Sequence, residues 1–290
     1  MRPRTFLQAA LALSVLVVAV VAWEIQTSTL QARFFPAWAR ELRFELQPGA
    51  SPGNAYPRSG PFDERVGYSR IPEWIARLSA NEYSVTTQAR QADALARHIQ
   101  DGFFAPYHEK KQAGLGVLDC RREPLFKVDF PQKAYPSYAA IPPLVVDTLA
   151  FIENREIVTA TEATHNPALE WPRLGRALLD QGMKAVDPSR HGAGGSTLAT
   201  QLEKFRHSPA GRTASAQDKY RQVVSASLRA YMDGPETVAA RQRILLDYVN
   251  SLPLGAQRHV GEVVGILDGV RLWYGADVAA LNQAMRANAT

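Results

Sequence analysis

The residues of this 290-residue chain with the clearest chemical potential begin at Gly192 to Phe205, GAGGSTLATQLEKF, where a glycine-rich loop runs into a helix expected to start at Ser196 and Thr197. Backbone amides at a helix start, behind flexible glycines such as Gly195, form a natural site for a phosphate. Thr197, Thr200, Gln201 and Lys204 follow at spacings of three and four, which places them on one helical face as a polar wall leading away from the loop. A capped surface helix carries the same residue types, and spacing alone does not choose between the two readings.

Two further segments carry charge where chemistry needs it. Glu153 lies in Phe151-Ile152-Glu153-Asn154-Arg155-Glu156, at the carboxyl end of an apolar helix, where a carboxylate is not an obvious stabiliser. Its plain reading is the solvated edge of that helix. Lys219-Tyr220-Arg221-Gln222 opens a long helix with Lys219 and Gln222 facing one way, which by itself is a solvated helix face.

These residues need a scaffold, and 46% hydrophobic content in a chain of this length supplies one good-sized core. Pro142 and Pro143 open a helix PLVVDTLAFIENREIV, because proline is tolerated in the first turn. Beyond residue 140 the apolar spacing is helical: Tyr220, Val224, Leu228 and Tyr231 share one expected core face, and Arg241 to Asn250 reads as a core helix followed by a polar loop and then Gly265 to Gly275. Gly114 to Asp119 and Pro124 to Val128 read as strands around a polar turn at 120–123. Ile71 to Leu78 and Gln91 to Gln100 are expected helices and Tyr83 to Thr87 a strand, so residues 61–112 form a small membrane-proximal α/β unit ahead of a mostly α domain over 113–290. Residues 24–60, with Pro36, Pro48, Pro52 and Pro57, read as a stalk and linker.

Phe6 to Trp23 is apolar apart from Gln8 and Ser14. At about 1.5 Å per residue it is just long enough for a bilayer core of about 30 Å. Arg2 and Arg4 against Glu24 predict a single pass with residues 1–5 cytoplasmic and the rest outside. A cleaved signal peptide is the alternative, against which stand the length of the run and the lack of a small-x-small exit. The formal charge of +5 suits an anionic membrane surface or a phosphate-bearing substrate, whereas basic residues this dispersed argue against nucleic acid. Cys120 is the only cysteine, so no intrachain disulfide is possible.

Taken in order, the segments resemble the glycosyltransferase domain of peptidoglycan polymerases, the family 51 glycosyltransferases of class A penicillin-binding proteins and monofunctional transglycosylases, over roughly Gly114 to Asn282. Ile141-Pro142-Pro143 through Glu153-Asn154 is similar to the first motif, followed by Arg176-Ala177. Gly194-Gly195-Ser196-Thr197 with Gln201 and Lys204 matches the Gly-Gly-Ser-Thr motif most specifically. Asp218 to Gln222 stands at the third motif, Ile244-Leu245, Tyr248 and Asn250 at the fourth, and Gly265-Ile266 with Trp273-Tyr274-Gly275 at the fifth.

The resemblance implies a lysozyme-like, mostly α domain of a bacterial inner membrane protein facing the periplasm. It implies lipid II, the nascent glycan strand, membrane lipids and cell-wall synthesis proteins as partners. Glu153 would be the general base on the acceptor 4-hydroxyl; Gly195, Ser196, Thr197, Gln201, Lys204, Arg176, Lys219, Arg221 and Gln222 would hold substrate and the leaving diphosphate. A divalent metal, Mg or Mn, often accompanies that diphosphate in the family.

This sequence departs from the pattern at Asn154 for Asp, Ile157 for Phe, Ala199-Thr200 for Thr-Gln and Gln222 for a second Glu; the only nearby histidine is His165, off the expected spacing. Neither Ser-x-x-Lys nor Lys-Thr-Gly occurs, so cross-linking is not expected. A non-catalytic domain binding lipid-linked glycan or envelope proteins is the alternative, and glycan cleavage by Glu153 a third reading.

Overall fold

The chain begins with α1 (Pro3–Thr27), whose stretch Gln8–Thr27 is long and apolar enough to cross a membrane. The computed structural model describes residues 3–51, 71–109, 114–129, 133–184 and 194–287. The expected stalk does not follow α1. Ser28 adopts a left-handed conformation (φ 52°), the Glu24 carboxylate accepts the amides of Leu30 (2.8 Å) and Gln31 (3.1 Å), and α2 (Thr29–Glu41) starts at once.

Pro36 looks like a breaker in sequence, yet it sits inside α2 because its neighbours gain more by burial than one missing amide costs. Ala39 and Leu42 pack with Leu95, Val224 and Leu228, and Phe35 stacks on Tyr231 at 5.8 Å. β1 (Phe44–Pro48) then pairs antiparallel with β2 (Thr87–Gln91), Phe44 opposite Gln91. The stretch read as a linker is therefore folded at least as far as Pro48, and the strand expected at Tyr83 to Thr87 begins where it was expected to end. α3 (Ile71–Ala80) and α4 (Asp93–Gln100) fall close to expectation; the linker and unit boundaries at residues 60–61 and 112–113 lie outside the described residues.

β3 (Gly114–Leu118) and β4 (Pro124–Asp129) form the expected hairpin, its turn closed by the Asp119 carboxylate accepting the amides of Arg121 and Glu123, both at 2.8 Å. From there the body is helical: α5 (Pro143–Glu153), α6 (Glu156–Thr159), α7 (Trp171–Lys184), α8 (Leu198–His207), α9 (Ala216–Ala230), α10 (Val238–Ser251), α11 (Ile266–Tyr274) and α12 (Val278–Arg286). Its core joins Val146 and Ala150 of α5, Leu198 and Leu202 of α8, and Leu245 and Val249 of α10. The mostly α expectation holds.

Three local expectations are corrected. The helix expected to run from Pro143 through Val158 stops at Glu153, because buried Asn154 turns to donate its amide to Glu170 (3.2 Å). Tyr220, placed on the core face by spacing, is 60% exposed, its ring edge-on to Phe103 at 5.9 Å, while Val224, Leu228 and Tyr231 are buried. The polar loop after α10 is a hairpin of β5 (Pro253–Gln257) and β6 (Gly261–Val264), fixed by burial of Val263 and Val264.

Gly265 closes that hairpin onto α11 with φ +78°, and a Cβ there would stand 2.7 Å from the Asn250 carbonyl oxygen. Gly265→Ala is expected to cost about 1–3 kcal/mol, read as a lowered urea midpoint at unchanged slope.

Candidate active site

The break after α5 makes the site. With the helix ended, the Glu153 carbonyl is available, and Arg173 of α7 donates to it through Nη1 while its Nε donates to the Gly194 carbonyl at 2.8 Å. One guanidinium thus ties the end of α5 to the glycine loop, the kind of planar double donation that arginine is built for.

The Glu153 carboxylate accepts Gln201 Nε2 at 2.8 Å, and the Gln201 carbonyl in turn accepts the Tyr248 hydroxyl at 2.9 Å. Burial and the charge of Glu153 push the Tyr248 hydroxyl up to about 12, so it remains a donor at neutral pH and holds the amide with its N–H groups towards Glu153.

The glycine loop enters α8 at Leu198, two residues later than expected. Thr197 is the N-cap, and Thr197 and Thr200 exchange a reciprocal pair of bonds: Thr197 N–H to Thr200 Oγ1 (2.9 Å) and Thr200 N–H to Thr197 Oγ1 (3.3 Å). Both are 1% exposed, so they brace the loop from behind and do not line an open wall with Gln201 and Lys204. Gly195 is packed closely enough that a Cβ would meet the Ala177 methyl at 3.2 Å.

Ser196 accepts Lys219 Nζ at 2.7 Å, and Lys219 lies 3.4 Å from Thr200 Oγ1. Burial, then the positive charges of Lys204 and Arg173, push Lys219 down to about 8. Three cations gathered at a glycine loop, one of them destabilised by the other two, describe a place waiting for an anion.

Other expected site residues lie elsewhere. Arg221 donates to the Asp101 carbonyl at 3.0 Å and lies so close over Gly102 that a Cβ there would overlap it, which places it on the turn after α4, away from the Lys219 cluster. Gln222 is 1% exposed and donates to Ser208 Oγ (2.9 Å) and Thr213 Oγ1 (3.0 Å), a buried brace. Arg176 is exposed on α7, one turn beyond Arg173.

Sequence reasoning missed Arg173 and Glu170. The carboxyl of Glu170 is pushed up by burial and by the charge of Glu156, and it holds Asn154. The available signal was their i, i+3 spacing across the start of the helix that carries Arg176.

Gln222 is neutral and engaged, and among the described residues no group of three or more His, Cys, Asp or Glu side chains is placed to hold a metal ion. Gln222→Glu is expected to leave activity no higher and to cost about 1–3 kcal/mol at pH 7. Burial would raise the new carboxyl, so the cost is absent below about pH 4 and grows as pH rises; melts across that range check it.

A family model described as transglycosylase matches residues 123–288, more than half the chain, and Glu153, Arg173, Gln201, Lys219 and Tyr248 all fall within it. No curated protein matches the chain.

Proposed function

Since the chain belongs to the transglycosylase family, whose general activity is peptidoglycan glycosyl transfer, we propose that it polymerises lipid II into glycan strands with Glu153 as general base. The observation that carries this is the joint held by Arg173, which puts a carboxylate steadied by Gln201 beside a cation-lined glycine loop. In this reading the acceptor 4-hydroxyl gives its proton to Glu153 as its oxygen bonds to the anomeric carbon of the donor strand. The bond from that carbon to the diphosphate breaks, and the electron pair leaves with the lipid diphosphate.

Charge on the leaving group is met by Lys219, Lys204, the Ser196 hydroxyl and the amides of the Gly194 to Ser196 loop. Arg221 and Gln222 drop out of that clamp because each is committed elsewhere, and Arg173 joins it. Arg176, exposed one turn beyond Arg173, is left for a more distant phosphate or sugar. In this reading the domain works at the outer face of the bacterial inner membrane, anchored by α1 with its amino terminus in the cytoplasm, an orientation that Arg2 and Arg4 ahead of the apolar run favour.

Lys219 gives the reading a pH signature. In the free protein it titrates near 8, so above that pH an anionic ligand must bind together with a proton. Affinity for lipid II is expected to be flat below about pH 8 and to fall up to about tenfold per pH unit above it, and Lys219→Met is expected to weaken binding and flatten the profile. Equilibrium binding of fluorescent lipid II across that range reads both.

A receptor for lipid-linked glycan is the second reading, favoured by the neutral, sealed Gln222 at a position where the third family motif has a glutamate. Release of lipid diphosphate from labelled lipid II by the detergent-solubilised chain separates the two. Release supports the polymerase, and saturable binding without release supports the receptor.

A further inference from the structure

The helix that replaces the expected stalk has two faces. Ala32, Phe35, Pro36 and Ala39 turn into the domain, while Leu30, Arg33, Phe34, Ala37 and Arg40 form an exposed stripe at helical spacing. Leu30 is 49% and Phe34 59% exposed, and Trp23, near the end of α1, is 45% exposed. Large apolar side chains interleaved with arginines on one face are the pattern of a helix lying in a bilayer interface, the rings at the acyl boundary and the guanidinium groups among phosphates.

The elbow between α1 and α2 is held on every side. Besides the Glu24 carboxylate on the first amides of α2, Ser28 Oγ accepts the Asn166 amide at 3.1 Å, and Asn166 Nδ2 donates to Gln31 (2.7 Å) and Ser227 (3.0 Å). Thr164 Oγ1 donates to the Thr27 carbonyl at 2.6 Å. Ser28 and Asn166 are both fully buried. A single left-handed residue redirects the chain at the end of α1, and these bonds tie the start of α2 to the body of the domain.

We infer that the exposed stripe of α2 lies in the headgroup layer of the leaflet from which α1 emerges, with Leu30 and Phe34 in the acyl boundary and Arg33 and Arg40 on anionic lipid headgroups. The inference rests on α1 crossing a membrane. The span and the interfacial helix then form one fixed bracket, which holds the catalytic domain at a set height over the bilayer that delivers its lipid substrate.

The test uses the full chain with Cys120→Ser, reconstituted in phosphatidylcholine vesicles with or without phosphatidylglycerol, and a nitroxide placed at Phe34→Cys or, separately, at Val15→Cys. Collisions with oxygen and with a water-soluble nickel complex report depth. The expected result is a Val15 site deep in the core and a Phe34 site several-fold more accessible to oxygen than to nickel but shallower than Val15. The Phe34 site is also expected to lie deeper when phosphatidylglycerol is present, a difference that disappears with Arg33→Gln and Arg40→Gln.

A Phe34 site fully open to nickel, or reached by neither reagent because protein covers it, overturns the inference while Val15 in the core upholds the span. No effect of phosphatidylglycerol overturns the role given to the arginines. A Val15 site open to nickel overturns the span itself, and the inference with it.

Discussion

Replacing Glu153 by Gln is expected to lower the rate of glycan formation by about 10²–10⁴-fold while leaving lipid II affinity within a few-fold. The substitution keeps shape and size, and the new side chain still offers a carbonyl oxygen to Gln201, whose Nε2 donates to Glu153 Oε2 at 2.8 Å. The glycine loop is untouched, because Arg173 holds the backbone carbonyl of residue 153 and not its side chain. What disappears is the ability to accept the proton of the attacking hydroxyl. Single-turnover kinetics at saturating lipid II should show the whole loss in the chemical step; an equal loss in affinity with an unchanged rate would make Glu153 a binding residue.

The second large effect is on stability. Arg229→Ala is expected to cost about 3–5 kcal/mol, measured by urea unfolding, because it strands charge in the interior. Arg229 donates Nε to Glu203 (2.6 Å), Nη2 to the Ala105 carbonyl (3.1 Å) and Nη1 to the Tyr107 carbonyl, and it lies 3.6 Å from Glu109. Burial acts against its charge, yet Glu203 and Glu109 together raise it above the ordinary arginine range. Glu109 is also opposed by burial, but the hydrogen bond to His207 and the charge of Arg229 hold it at about 2.

That contribution from Glu109 is complete above the unfolded carboxyl range near pH 4 and is lost as pH falls towards about 2. The variant should lose much of this acid-limb slope. Adding Glu203→Gln to Arg229→Ala should restore part of the stability, since the stranded charge and not the lost contact dominates the cost.

How far the sequence carried depended on whether local chemistry or tertiary bonding decided each feature. The apolar α1, the proline start of α5 and the glycine loop leading into α8 were legible because spacing and residue type settle them, whereas Gln201, Lys204 and Lys219 stood out from plain helix faces only through the family resemblance. Glu153 was legible as a candidate, but the reason it sits at an open helix end was not: the break comes from Asn154 reaching Glu170, sixteen residues away.

The same limit explains Arg221 and Gln222. Both lie on the first turns of α9, and which of its faces meets α8 and which meets the turn after α4 is set by packing that periodicity does not reveal. α2 was read as a linker because Pro36 and scattered charge hide a helix whose apolar face becomes evident only against Leu95, Val224 and Leu228. The hairpin at 253–264 was missed because few of its residues are strand formers before Val260.

The most direct test of the account is the product formed from labelled lipid II by the full chain in detergent, run beside Glu153→Gln. Glycan strands, cleavable by a muramidase, are expected from the unaltered chain and essentially none from the variant at equal lipid II binding. Saturable binding with no strands from the unaltered chain, or equal product from both, would contradict it.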